Sequence, residues 1–198
     1  MKHSAHVGNY MLVKRAMDII GATSALVLLL PVMIVIAIAI KITDGCPVVY
    51  CQRRLGRFRE PFTIYKFRTM HRGADSKGQG TQPNDPRVIA AGRVLRHTHL
   101  DNLPQLINVL QGKMSILGPQ AHSLAMCRTI DELVPDASRR YRYTPGVTGP
   151  AQVAECLDHT TEGVQKNFDL DVKYTPTFLG DLSLMIRTVL VVLQGKGE

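Results

Sequence analysis

Residues 19–40 read IIGATSALVLLLPVMIVIAIAI, an apolar run without a charged side chain, and the reading of this stretch decides the fold. As a helix it would be about 33 Å long, enough to cross a bilayer core. Two features argue for something other than a plain span. Pro31 stands in the middle of the run, where it removes a backbone donor and crowds the preceding turn, so a bend or break is expected there. Basic residues also stand on both sides: Lys2, Lys14 and Arg15 precede the run, and Lys41, Arg53, Arg54, Arg57 and Arg59 follow it. Positive flanks favour the cytoplasm, and a straight span would put one of them on the wrong side. A helix-break-helix entering and leaving one leaflet satisfies both. The chain therefore divides into a re-entrant membrane segment over residues 1–43, turning at Pro31, and a soluble domain over 44–198. An ordinary kinked span is one alternative. A signal peptide cut after Ala37-Ile38-Ala39 is another, for which the run is long and starts late.

The whole chain has 198 residues, room for about one domain besides the foot. With 24 Lys and Arg against 16 Asp and Glu its formal charge is +8, while 45% of residues are hydrophobic. That combination excludes a disordered polycation and points to an anionic partner: nucleic acid, anionic lipid or a phosphorylated substrate. No nucleic-acid motif is present, and there is no Trp, so nucleic acid is set aside. Anionic lipid fits every reading, because the basic stretch adjoins the apolar run. Cys46, Cys51, Cys127 and Cys156 form no Cys-x-x-Cys pair and read as reduced thiols. His97 and His99 are the nearest thing to a metal-ligand pair, and they lack a third partner.

Beyond Lys41 the pattern predicts a helix-dominated α/β body with one short β-hairpin. Val48 to Cys51 and Phe62 to Phe67 are β-branched and aromatic, with Gly56 between them. Gly73 to Pro86 is rich in glycine and proline and reads as a surface loop. Short helices are expected over Arg87 to Arg96 and Leu103 to Gln111, the second with Pro104 in its first turn and Asp101 or Asn102 as N-cap. Met114 to Leu117 reads as an apolar link, His122 to Val134 as a helix and Tyr143 to Pro150 as a turn-rich loop. Thr161 to Tyr174 reads as a polar helix. Phe178 to Gln194 is a last helix whose apolar residues cover more than one stripe, suited either to a core or to a membrane surface.

Several short stretches, in order, resemble the bacterial sugar transferases, the monotopic phosphoglycosyl transferases. They are Lys14-Arg15 and Asp18 before the run, Pro31 within it, Gln52-x-Arg54-x-Gly56, and Ile64-Tyr65-Lys66-Phe67-Arg68-Thr69-Met70. Asp85-Pro86-Arg87, Leu100-Asp101-x-Leu103-Pro104-Gln105, Asn108-Val109-Leu110 and Met114-Ser115-x-x-Gly118-Pro119 follow, then Pro145-Gly146-x-Thr148-Gly149-x-Ala151-Gln152-Val153. The resemblance implies a monotopic protein on the cytoplasmic face of a bacterial inner membrane. It implies passage of a phosphosugar from a UDP-sugar to undecaprenyl phosphate with release of UMP, the start of a glycoconjugate or exopolysaccharide. It further implies an Asp-Glu pair acting with Mg²⁺, in which Asp101 is the covalent nucleophile and the one candidate metal ligand. Lys66, Arg68, Arg87 and Arg96 are the candidate phosphate contacts.

The chain departs from that pattern at polar positions. Asn102 stands where the family has Glu, Lys113 where it has Asp, Gln120 where it has Arg, and Thr144 where it has Arg. An asparagine cannot take up a proton at ordinary pH. Lys113, Gln120 and Thr144 are thus substrate-site candidates by position with altered chemistry, and Lys113 is a possible replacement for a lost arginine. Two functions stay open: a non-catalytic relative that pairs with an active homologue, and an active transferase that uses Asp101. A homo- or hetero-dimer is expected with either.

Overall fold

A computed structural model describes residues 2–74, 85–133, 136–154 and 161–193. Helix α1 runs over Lys2–Asp44 with Pro31 inside it. The hairpin follows, β1 (Val49–Leu55) and β2 (Pro61–Phe67), then α2 (Ala90–His97), α3 (Gln105–Leu110), β3 (Ser115–Leu117) and α4 (Leu124–Leu133). β4 (Gly146–Thr148), α5 (Pro150–Val153), α6 (Thr161–Lys173) and α7 (Phe178–Leu193) complete the order.

The expected break at Pro31 does not appear as two helices, because α1 is assigned as helix without interruption. A proline deletes one hydrogen bond of the ladder, and neighbouring turns carry the helix through it. Pro31 sits on the exposed side of α1. The inner side is marked by buried Lys14, Asp18, Ala22, Ile36 and Ile40, spaced by helical turns. The outer side is apolar and open, with Leu28 76% and Ile42 78% exposed.

Both ends of α1 are tied to the same body. At the first, the Lys14 ammonium lies 2.6 Å from Asp181 Oδ2, which also accepts from the Tyr10 hydroxyl at 2.8 Å. Arg15 donates to the carbonyls of Val109 (2.6 Å) and Leu110 (2.9 Å) at the end of α3. Asp18 Oδ1 accepts the backbone N–H of Ile116 at 2.9 Å. At the other end, Asp44 pairs with Arg68 at 3.0 Å and with His71 Nδ1 at 2.6 Å. Between these anchors, Ala22 packs with Phe62, Ile64, Leu106, Val109 and Met114, while Ile36 and Ile40 pack with Phe67, Ile89 and Leu95. Leu103 touches both clusters.

The hairpin is antiparallel, with Val49 opposite Phe67 and Leu55 opposite Pro61. Two expectations change. The apolar link and the turn-rich loop contain strands β3 and β4, which pair in parallel with Ser115 opposite Gly146 and Leu117 opposite Thr148. Three residues are too few to show a period of two. The pairing depends on backbones too close for side chains: a Cβ on Gly118 would collide with the Thr144 carbonyl, and one on Gly149 with that of Gly118. The expected helix over Arg87 to Arg96 starts at Ala90, and that over His122 to Val134 starts at Leu124. Most of the Gly73 to Pro86 loop, and Cys156, lie outside the described residues.

The Lys14–Asp181 pair is buried, with side chains 9% and 5% exposed, whereas Arg59 and Asp131 are 45% and 30% exposed. Removing one partner of a buried pair leaves an uncompensated charge and costs about 3–5 kcal/mol, against about 0–1 kcal/mol for a surface pair. Asp181→Ala is therefore expected to lower the denaturant midpoint of the detergent-solubilised chain far more than Asp131→Ala. Equal effects would contradict this account of the α1 anchor.

Candidate functional site

A cavity of about 260 Å³ opens where the hairpin, the α2–α3 connection, the β3–β4 turns and α6 converge. Its charged lining comes from four places: Arg54 of β1, Lys66 of β2, Arg96 of α2, and Asp101 in the turn Leu100–Asn102. That turn begins after His99, whose φ of 57° is left-handed. The reversal turns the chain out of α2 and brings His99, Asp101 and Asn102 all to the cavity wall. Asp101 was expected as an N-cap, but no side chain caps α3, and Pro104 occupies that position. The carboxylate instead faces Lys66 across 3.7 Å, its side chain 12% exposed. Asn102 Oδ1 accepts from Gln105 Nε2 at 2.6 Å, so its oxygen is engaged.

Arg54 and Arg96 are held by neutral acceptors. Arg96 Nε donates to Thr69 Oγ1 at 3.0 Å. Arg54 donates to Gln52 Oε1 and to the Ala121 carbonyl, and burial pulls its pKa below the ordinary guanidinium value. Behind the wall lies a second charged layer. Arg140 and Asp171 pair at 3.2 Å with almost no exposure. Asp171 accepts the Gln120 backbone N–H at 2.9 Å and Arg140 donates to the Gln120 carbonyl, so this pair pins the residue that stands at the cavity edge. His122 packs edge-on against Phe168, and burial, then the charges of Arg140 and Arg54, push its pKa well below the ordinary histidine value. A neutral imidazole between two guanidiniums follows.

Lys66, Arg96, Asp101, Asn102 and Gln120 are brought together at this cavity. Four other candidates do not line it. Arg68 grips the end of α1 through the carbonyls of Asp44 and Gly45, at 2.8 Å each. Arg87 is forked onto Asp85, with a shortest contact of 2.6 Å. Lys113 is exposed beyond α3, and Thr144 is half-buried beside the β3–β4 crossing, its carbonyl over Gly118. His99, read from the sequence only as a metal ligand, Gln105 and Gln152, quoted only as parts of motifs, and Asn167, which the sequence did not single out, all line the cavity. Arg54 shares one strand face with Gln52, a signal that alternation could have supplied.

Asp101 is the one carboxylate among the described lining residues, and no group of three His, Cys, Asp or Glu able to hold a metal occurs among the described residues. A protein-built Mg²⁺ site does not fit that donor set. Residues 9–195 match the bacterial sugar transferase family. The chain belongs to this family. The UDP-glucose:undecaprenyl-phosphate glucose-1-phosphate transferase of Escherichia coli is 41% identical over 167 residues, which cover 82% of this chain and 36% of that protein. The UDP-N-acetylgalactosamine-undecaprenyl-phosphate N-acetylgalactosaminephosphotransferase of Aeromonas hydrophila is 34% identical, covering 95% of this chain and 45% of that protein. The exopolysaccharide production protein PSS of Rhizobium leguminosarum bv. phaseoli is 36% identical over 197 residues, covering 94% and 98%. The chain thus spans less than half of the first two relatives and nearly all of the third.

In this family member the layer under Gln120 supplies a pH test. Burial pushes the Asp171 carboxyl up to about 6, against the pull of Arg140 and of backbone donors. A carboxyl whose folded value lies above its unfolded one binds more protons when folded, so its contribution to stability falls as pH rises from about 4 to about 6. The stability advantage of the native chain over Asp171→Asn should therefore narrow across that window. A change of two units corresponds to on the order of 3 kcal/mol. Thermal melts at pH 4.5 and 6.5 read it; a widening gap would mean that Arg140 dominates.

Proposed function

We propose that the cavity takes the phosphoryl groups on which the named relatives act, the diphosphate of a UDP-sugar and the phosphate of undecaprenyl phosphate, without efficient turnover. The chain then serves as a non-catalytic member of the family, paired with itself or with an active homologous transferase in exopolysaccharide or glycoconjugate initiation. The observation that carries this is the asymmetry of the lining. Three permanent cations, Arg54, Lys66 and Arg96, remain around Asp101, while Asn102, held by Gln105, offers no second carboxylate. Fixed cations bind phosphate oxygens, and the loss of a general base costs about 10²–10⁴ in rate. Mg²⁺ would reach such a cavity with the phosphates of the ligand, with Asp101 as the single protein carboxylate near it.

A second reading has its own support. Asp101 remains at the nucleophile position and opposite a cation. In an active transferase a carboxylate oxygen of Asp101 would attack the sugar-bearing phosphorus, the bond to UMP would break with its electron pair leaving on UMP, and the lipid phosphate would then displace Asp101.

The two-ended attachment of α1 supports a re-entrant placement. Residues 10–18 bind β3, α3 and α7, and Asp44 binds Arg68 and His71, all of one body. A body on one side of a membrane holds both helix ends on that side. With basic flanks facing anionic lipid, the cytoplasmic face of a bacterial inner membrane is the reading that satisfies the charges.

The full chain in nanodiscs with undecaprenyl phosphate and Mg²⁺, given UDP-glucose or UDP-N-acetylgalactosamine, is expected to release no UMP above the Asp101→Ala background. It should still bind the nucleotide sugar, and Lys66→Met should weaken that binding by about 10-fold or more, the scale of one charge-assisted contact. UMP formation abolished by Asp101→Ala would establish the second reading. Absence of binding would contradict both.

A further inference from the structure

The cavity has a second chemistry beside its cations. Arg54, Lys66 and Arg96 reach it from the hairpin and α2, whereas three neutral amides reach it from another group of elements: Gln120 after β3, Gln152 in α5 and Asn167 in α6. These elements are tied together. α5 packs against α6, and the Asp171 carboxylate of α6 accepts the Gln120 backbone N–H at 2.9 Å. The amides therefore share one support, and their positions are set by the fold.

Gln152 is the member with an unanswered group. It stands at the third position of α5, which begins at Pro150 after Gly149. A glutamine so placed commonly turns back to the amide of the residue before the helix. Here Gln152 Oε1 is buried and, among the described residues, has no hydrogen-bond partner. Gly149 leaves it space, since a Cβ on Gly149 would stand 3.3 Å from that oxygen. A buried acceptor without a donor carries the cost of its lost hydration, and on a cavity wall a ligand can bring the donor. Ionised phosphate oxygens only accept, so the donor has to come from another part of a nucleotide sugar.

We infer that Gln152 is a specificity-determining residue whose Oε1 accepts from a hydroxyl of the sugar, with Gln120 and Asn167 on the same side, while the cations hold the adjoining phosphate. This rests on the proposed binding of a nucleotide sugar in the cavity. Size agrees with it. A volume of about 260 Å³ lies under the about 300–1,000 Å³ of sites that bury most of a drug-sized ligand, so the cavity encloses one portion of a nucleotide sugar. The phosphosugar portion presents anionic oxygens and hydroxyls side by side, which matches cations and amides in one lining. A site built to hydrogen-bond a hydroxyl discriminates against a ligand that lacks it, because its own polar group is then left unpaired. The N–H of uracil is the other donor available, and UDP carries it without the sugar.

Affinities of the full chain in nanodiscs are measured for UDP and for UDP-glucose or UDP-N-acetylgalactosamine, whichever the native chain binds more tightly. Gln152→Met keeps the length of the side chain and removes the acceptor. It is expected to weaken the nucleotide sugar by about 10-fold and to change UDP binding by less than about two-fold. Lys66→Met is expected to weaken both. Gln152→Glu keeps an acceptor oxygen, and its added charge acts on both ligands, so the ratio of the two affinities should stay within about two-fold of native; this variant decides the matter if Gln152→Met does not fold. Equal weakening of UDP and nucleotide sugar by Gln152→Met would give the oxygen to the uridine and overturn the inference. Unchanged affinities in Gln152→Met, or a lost ratio in Gln152→Glu, would overturn it as well. A native chain that binds neither nucleotide sugar would remove the underlying reading, and the inference with it.

Discussion

An apolar helix clamped at both ends to one body is the constraint on which the other features depend. The clamps are polar and buried: Lys14 and Tyr10 on Asp181 at one end, Arg68 on Asp44 at the other. A lone buried charge would be costly, so each pairing fixes a register as well as a contact. Between them Ala22 and Ile40 are fully buried while the opposite face stays apolar and open. In water such a face is unfavourable, and in lipid it is not. The same clamps bear on the site, since α3, β3 and α7 are held against residues 10–18, and Gln105 of α3 and Val191 of α7 line the cavity.

The cavity rests on a second economy of space. Gly118, Gly146 and Gly149 let β3 and β4 cross where no side chain fits, and Arg140 with Asp171 holds the Gln120 backbone at the edge. Asn102 and Gln120 stand in the cavity lining with the cations Arg54, Lys66 and Arg96, whereas Lys113 and Thr144 do not line it.

The membrane helix, the hairpin and the later helices were legible because each has a long or strong pattern: an uncharged run, β-branched strands around Gly56, amphipathic turns. β3 and β4 were not, because three residues show no period and their pairing is dictated by contact between distant glycines. At Pro31 the helix runs on as one element, since a proline removes only one bond of its local ladder. In the site, family motifs pointed to Lys66 and Asp101, which face each other across 3.7 Å, and Arg96, a candidate outside those stretches, joins them in the cavity lining. The same motifs gave Arg68 and Arg87, whose fork geometry serves Asp44 and Asp85 instead. Motif order records which residues recur and does not say whether a guanidinium faces a ligand or the fold. His99 escaped because its place on the wall depends on a left-handed backbone angle.

The placement of the two ends of α1 on one side of the membrane is tested most directly by single cysteines, one at Ser4→Cys and one at the native, exposed Cys46, each with the other cysteines replaced by serine. Both are treated in sealed inner-membrane vesicles of known orientation with a maleimide that does not cross lipid. The account predicts that both react in vesicles with the cytoplasmic face outward and neither in the opposite orientation. Labelling of the two from opposite faces would contradict it.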